Sequence, residues 1–184
     1  MAVVLQTQTR RMTEEEFICL TDNGRQYELV DGEPKEVPTI CVHDAIGVNL
    51  ILLLGPYTRK RGFTTSGQAG FRMTEANIRC PHVSFTRKDR APGGKAPDTF
   101  GSVAPDLCIE IISPSEDKAD MARKVEEYFA SGAEQVWHLF PETQTLVAYT
   151  SPTVFRLYTS QQEIDGGDLL PGFRSQVEAL FDVD

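Results

Sequence analysis

The apolar positions of this 184-residue chain change period along its length, and each change marks an element. Residues 105–115, PDLCIEIISPS, alternate in twos, with Leu107, Ile109 and Ile111 set against Asp106, Cys108 and Glu110. That is a buried-strand pattern, and Pro114 stops it. A helical period follows from about Ser115 to Ser131, with Met121, Val125, Tyr128 and Phe129 as its buried stripe and Gly132 at its end. Strands are expected at 135–140, 145–150 and 153–159. Upstream, Thr13 and Glu16 form a capping box for a short helix that ends near Asp22-Asn23-Gly24. YELVDGEPKEV, 27–37, reads as a hairpin about Asp31-Gly32, a dipeptide that accepts positive φ. From about His43 to Leu54 or beyond, apolar residues cover most of a helical circumference, which predicts a deeply packed helix. Strands are expected around 63–73 and 78–87, an exposed loop at 88–104, and one short strand with a turn at Pro171-Gly172 in the tail, 164–181. The strand–helix–strand unit at 106–140 points to an α/β fold with helices packed on a sheet.

Composition narrows this picture. The length suits one domain, expected over 13–184, with 1–12 as a flexible leader. The longest apolar run, LILLL at 50–54, is far short of the ~18 residues of a membrane span. The N-terminal stretch has no apolar core of signal-peptide length, so no membrane and a cytoplasmic location are expected. Cys19, Cys41, Cys80 and Cys108 lie far apart with no CxxC, which reads as reduced core thiols rather than zinc ligands. A net charge of −9 disfavours a general nucleic-acid coat but not a nuclease, because a bound divalent cation reverses the local field. Two basic clusters, Arg59-Lys60-Arg61 and Arg87-Lys88 with Arg90 and Lys95, read first as solvated loop charge. No nucleotide-binding glycine loop, GxSxG elbow or HExxH is present. Trp137 is expected in the core, with His138 on the other face of its strand.

The candidate chemistry starts from Glu110, a carboxylate inside a buried strand that is costly to bury unpaired. Asp106 shares its face but stands ~13 Å away along a regular strand, too far to share one metal. Its partner must come from elsewhere. Lys124 lies at the edge of the helical stripe, where it either snorkels to solvent or carries its ammonium toward the sheet. Glu28, in the hairpin, is a second candidate. His82, in NIRCPHVSF (77–85), reads as either a satisfied histidine or a ligand.

Taken in order, YELVDGE (27–33), His43, RCPHVSF (79–85), APDLCIEIISPS (104–115), KVEEYFASG (124–132), VWHLFPETQTLVAY (136–149) and LLPGF (169–173) resemble the Uma-two family of restriction endonucleases, within the PD-(D/E)XK nuclease superfamily. The resemblance runs from about Thr13 to Phe181. It implies a restriction-endonuclease-like fold: a central mixed sheet flanked by helices, with additional β-hairpins. It implies DNA hydrolysis assisted by Mg²⁺, with Mn²⁺ as an alternative, and by analogy with restriction enzymes a homodimer. Glu110, Lys124 and Glu28 match its catalytic positions, and Glu110, His82 and Asp106 its metal positions. One departure stands out. Where the family reads Pro-Asp-Val, this chain has Pro81-His82-Val83, and imidazole suits Mn²⁺ better than Mg²⁺. That departure keeps a second reading open: a non-catalytic relative that binds nucleic acid or protein.

Overall fold

The computed structural model describes residues 11–21, 25–37 and 40–183. The expected leader, apart from residues 11 and 12, and the expected helix end at 22–24 lie outside them. The chain begins with α1 (Glu14–Thr21), capped reciprocally as expected: the Glu16 N–H donates to Thr13 Oγ1 and the Thr13 N–H to Glu16 Oε2. The hairpin β1 (Tyr27–Val30) and β2 (Glu33–Glu36) turns on Asp31 and Gly32, whose φ values of 54° and 80° suit a type I′ turn. Then comes α2 (Cys41–Thr58), which starts two residues before His43 and runs past Leu54 as the sequence allowed, with Pro56 accommodated inside it.

The two long strands expected at 63–73 and 78–87 are each broken in two. β3 (Gly62–Ser66) and β4 (Phe71–Thr74) are separated by a turn holding Gly67 and Gly70, and β5 (Asn77–Arg79) and β6 (Val83–Arg87) by Pro81. Pro81 offers no backbone N–H to a ladder, so strand pairing cannot run through it. The loop expected at 88–104 holds two short 3₁₀ turns. β7 (Leu107–Ile111), α3 (Lys118–Ala130) and β8 (Gln135–Phe140) complete the expected strand–helix–strand unit. α3 starts later than expected because Asp117 is its N-cap, accepting from the Asp120 N–H at 2.9 Å. β9 (Thr145–Ser151) and β10 (Val154–Tyr158) follow, and the tail carries two short strands rather than one, β11 (Glu163–Asp165) and β12 (Arg174–Gln176).

The central sheet has the order β10-β9-β8-β7-β6-β3. It is mixed: β7 and β8 run parallel across α3, and the other neighbours are antiparallel. A smaller sheet, β2-β1-β5-β4, stands beside it, and the short segment from β5 to β6 passes from one sheet to the other. The two-residue period of β7 divides the core. Leu107, Ile109 and Ile111 pack with Leu50 and Leu54 of α2 and with Trp137, Leu139, Leu170 and Phe173. Cys108 faces α3 with Val125, Tyr128 and Val136. Each such fully buried Leu, Ile or Phe contributes about 1.5–3 kcal/mol. Cys80 and Cys108 are buried free thiols as expected, whereas Cys19 and Cys41 are exposed rather than in the core.

Candidate functional site

Glu110 takes the same side of β7 as Cys108 and therefore points at α3. It is 1% exposed. The Tyr128 hydroxyl donates to its Oε1 at 2.7 Å, and His82 Nδ1 lies 2.7 Å from its Oε2. The Lys124 ammonium stands 3.8 Å from Oε1. Burial alone would raise the Glu110 carboxyl, but Lys124, His82 and Tyr128 together hold it well below the usual carboxylate range. An ionised carboxylate only accepts, so His82 Nδ1 carries the proton and donates. In a neutral ring that leaves Nε2 as the lone-pair nitrogen. The Ile111 N–H, 3.4 Å from Nδ1, is then a long contact and not a competing bond.

Lys124 is 8% exposed, so the edge of its helix stripe is turned inward and the ammonium does not snorkel to solvent. It lies 3.5 Å from Glu28 Oε2 and 3.7 Å from Glu116 Oε1 as well as near Glu110. Burial opposes its charge, but those three carboxylates hold its pKa well above the ordinary lysine value. Glu28 is gripped in turn. Arg79 Nη1 donates to its Oε2 at 3.0 Å and the Cys80 N–H to its Oε1 at 3.2 Å. Arg79, wholly buried, also bonds Glu127 at 2.6 Å.

The structure therefore brings together Glu28 from β1, His82 from the crossing before β6, Glu110 from β7 and Lys124 from α3. Sequence reasoning missed Arg79 and Glu116, and it read Tyr128 only as a stripe residue. A signal for Arg79 was present: a charge between Ile78 and Cys80 in a short apolar strand needs a buried counter-charge. Glu116 gave none, since its loop turns it toward Lys124. A cleft of about 320 Å³ opens onto Glu28, His82, Ser113, Glu116 and Lys124. A second cavity of about 370 Å³ shares His43 and His82 with it. The two imidazole rings stand edge to face, 5.5 Å between centroids, and burial followed by His82 lowers the His43 pKa.

Asp106 does not join them. It precedes β7 at the far end from the cleft and accepts from the Arg87 N–H at 2.8 Å, with Arg87 Nη2 3.1 Å away. Its assignment as a metal ligand is corrected here: the strand is regular, and the spacing along it holds Asp106 away from Glu110. The second basic cluster is likewise structural in part. Arg87 pairs with Asp106 and Glu134, and Arg90 donates to the Ala104 carbonyl at 2.8 Å.

Among the described residues, no three His, Cys, Asp or Glu side chains are grouped as a ready-made metal cage. Mg²⁺ does not require one, because it commonly takes one or two carboxylates and fills its shell with waters and substrate phosphate. Glu110 Oε2 and His82 Nδ1, 2.7 Å apart, are spaced as two neighbouring ligands of one ion could be. That pair could hold a cation only once the proton on Nδ1 has left, and its nitrogen would suit Mn²⁺ better than Mg²⁺.

His138, opposite Glu110 in the parallel register, is fully packed between Phe140 and Tyr149. Neither ring nitrogen has a hydrogen-bond partner among the described residues. Burial pushes its pKa down to about 4, with Glu110 opposing. An unfolded histidine titrates near ~6.5. Between those values the unfolded chain binds the extra proton, so stability falls as pH drops from about 6.5 toward 4, by about 3 kcal/mol from this residue. His138→Phe should remove that share of acid sensitivity. Urea denaturation of both proteins at pH 7 and pH 4.5 measures it, and an unchanged difference in the variant would contradict the assignment.

A family model described as “Putative restriction endonuclease”, Uma2, matches residues 14–178. Among solved structures, a chain from Anabaena variabilis ATCC 29413 described as “a putative nuclease belonging to DUF820” matches with a TM-score of 0.80. It is 19% identical, and the match covers 92% of this chain and 97% of that one. At that identity the likeness shows the fold alone: a restriction-endonuclease-like α/β fold, its central mixed sheet flanked by helices and extended by hairpins. A search of curated proteins gives no match. With the family match spanning most of its length, from the first helix to the tail, this chain belongs to the Uma2 family.

Proposed function

We propose that the chain is an endonuclease that hydrolyses DNA phosphodiester bonds in this cleft with one divalent cation, Mg²⁺ or Mn²⁺. One observation supports the reading above others: Glu28, His82 and Lys124, from three separate segments, line a cleft open to solvent, and the buried Glu110 carboxylate meets both His82 and Lys124. Glu110 and His82 would hold the cation, giving up the proton on Nδ1 to do so. Once bound, it would supply Lewis-acid stabilisation of the attacked phosphate and a more acidic water. Lys124 contributes fixed positive charge beside the reacting phosphate. It does not serve as a general base, because Glu28, Glu110 and Glu116 keep its proton in place. Glu28, anchored by Arg79, sets the position of that ammonium.

The alternative is a non-catalytic module that binds nucleic acid or protein. His82 favours it, standing where the family pattern has aspartate, and so does the pairing of both Glu110 oxygens inside the chain. A supercoiled-plasmid nicking assay separates the readings. Nicking is expected with Mn²⁺, weaker nicking with Mg²⁺, and none with chelator. DNA retention without nicking under any of these cations would favour the binding module.

A further inference from the structure

The long helix α2 was expected to be deeply packed, and it is not. It is long and apolar enough in composition to cross a membrane, yet only 33% of that span is buried. Its outer face carries Val48 at 58% exposure and Leu52 at 70%. The exposed residues recur every four positions: Asp44, Val48, Leu52, Pro56 and, just past the helix end, Lys60 beside Arg59. Residues four apart lie on one helix ridge. The stripe is thus acidic at its start, apolar in its middle and basic at its finish. Alongside runs a groove of about 710 Å³ lined by Ile51, Leu52, Gly55, Pro56 and Phe63, next to the outermost strand, β3.

We infer that this face binds a second copy of the chain, α2 against α2, antiparallel about a two-fold axis at Leu52. The charge order selects this occupant. Under that symmetry Leu52 meets its own copy, Val48 meets Pro56, and Asp44 meets Lys60, so both ends are salt-bridged by one self-complementary stripe. A lipid surface would leave Asp44 facing the bilayer, and a uniformly charged partner would suit only one end. The Arg59-Lys60 pair gains a role as well. Asp44 lines the cavity that also holds His43 and His82, so the partner's basic residues come to the rim of that cavity. Each subunit would then supply positive charge beside the other's second cavity, which shares His43 and His82 with the cleft, in a chain whose net charge is −9.

Light scattering on the full chain over a range of concentrations tests this. A mass of twice the 20.5 kDa chain is expected. Leu52→Glu should give a folded monomer, since Leu52 packs against little in the single chain, with a melting temperature below that of the wild-type dimer and independent of concentration. Lys60→Glu should weaken the dimer at least tenfold, and adding Asp44→Lys should recover most of that loss. A monomeric wild type would overturn the inference, and so would binding of wild type to lipid vesicles without self-association. A dimer that survives Leu52→Glu would place the contact elsewhere. None of these readouts depends on nuclease activity.

Discussion

Lys124→Ala should cost the fold about 3–5 kcal/mol at pH 7, the penalty for leaving buried charge without its partner. The sequence placed Lys124 at the margin of a helix stripe, where truncation would matter little. The structure puts its ammonium within 3.8 Å of Glu28, Glu110 and Glu116. Without it, those carboxylates face one another across a buried cluster. The effect shrinks as pH falls. In the wild type the folded Glu110 pKa is depressed, so its contribution is present above the unfolded value and is lost as pH falls through the folded one. In the variant, burial and the remaining carboxylates push Glu110 upward. Protonation then relieves the strain, and the gap to wild type narrows as pH falls. Urea denaturation at pH 7 and pH 4.5 checks both parts. Equal stability at pH 7 would mean that the ammonium does not hold the cluster. Lys124→Arg keeps the charge and should recover much of the stability.

His82→Asp should produce the second large effect, and its size depends on the cation. Without metal, the variant loses the 2.7 Å bond to Glu110, a charge-assisted contact of about 1.5–3 kcal/mol, and sets two carboxylates side by side. One of them then holds a proton until a cation arrives. The apo variant should therefore melt lower than wild type. With Mg²⁺ the gap should narrow, because a second oxygen ligand replaces a neutral nitrogen. Binding at least tenfold tighter than wild type is expected, about 1.4 kcal/mol. Saturating Mg²⁺ at 100 times the dissociation constant would then add about 2.7 kcal/mol of stability. Melting temperatures of both proteins across a Mg²⁺ titration show this directly. If Mg²⁺ stabilises wild type as much as His82→Asp, His82 does not sit at the cation position.

Much of this was legible before the structure because it rests on short-range rules. The two-residue period of β7 fixed which face Glu110 takes, and the capping box, the Asp31-Gly32 turn and the strand–helix–strand unit are local patterns. Three features were not. Pro81 divides what looked like one strand, and only the folded topology shows that the break carries the chain from one sheet to the other. The burial of Lys124 depends on Glu28 and Glu116, which approach from other elements. The apolar girth of α2 reads as core from composition, because period alone cannot tell a face covered by its own domain from one left for a partner. Asp106 shows the opposite case. Strand spacing argued it away from Glu110, family pattern argued for it, and the spacing prevailed.

The most direct test of the central claim is plasmid nicking by Glu110→Gln beside wild type, in Mn²⁺ and at matched protein stability. The amide keeps the side chain's shape and still accepts from Tyr128, while it removes the charge that would hold the cation. Wild type should nick the plasmid, and Glu110→Gln should lose about 10²-fold or more of that activity with DNA retention unchanged. Equal nicking by the two proteins would contradict the claim.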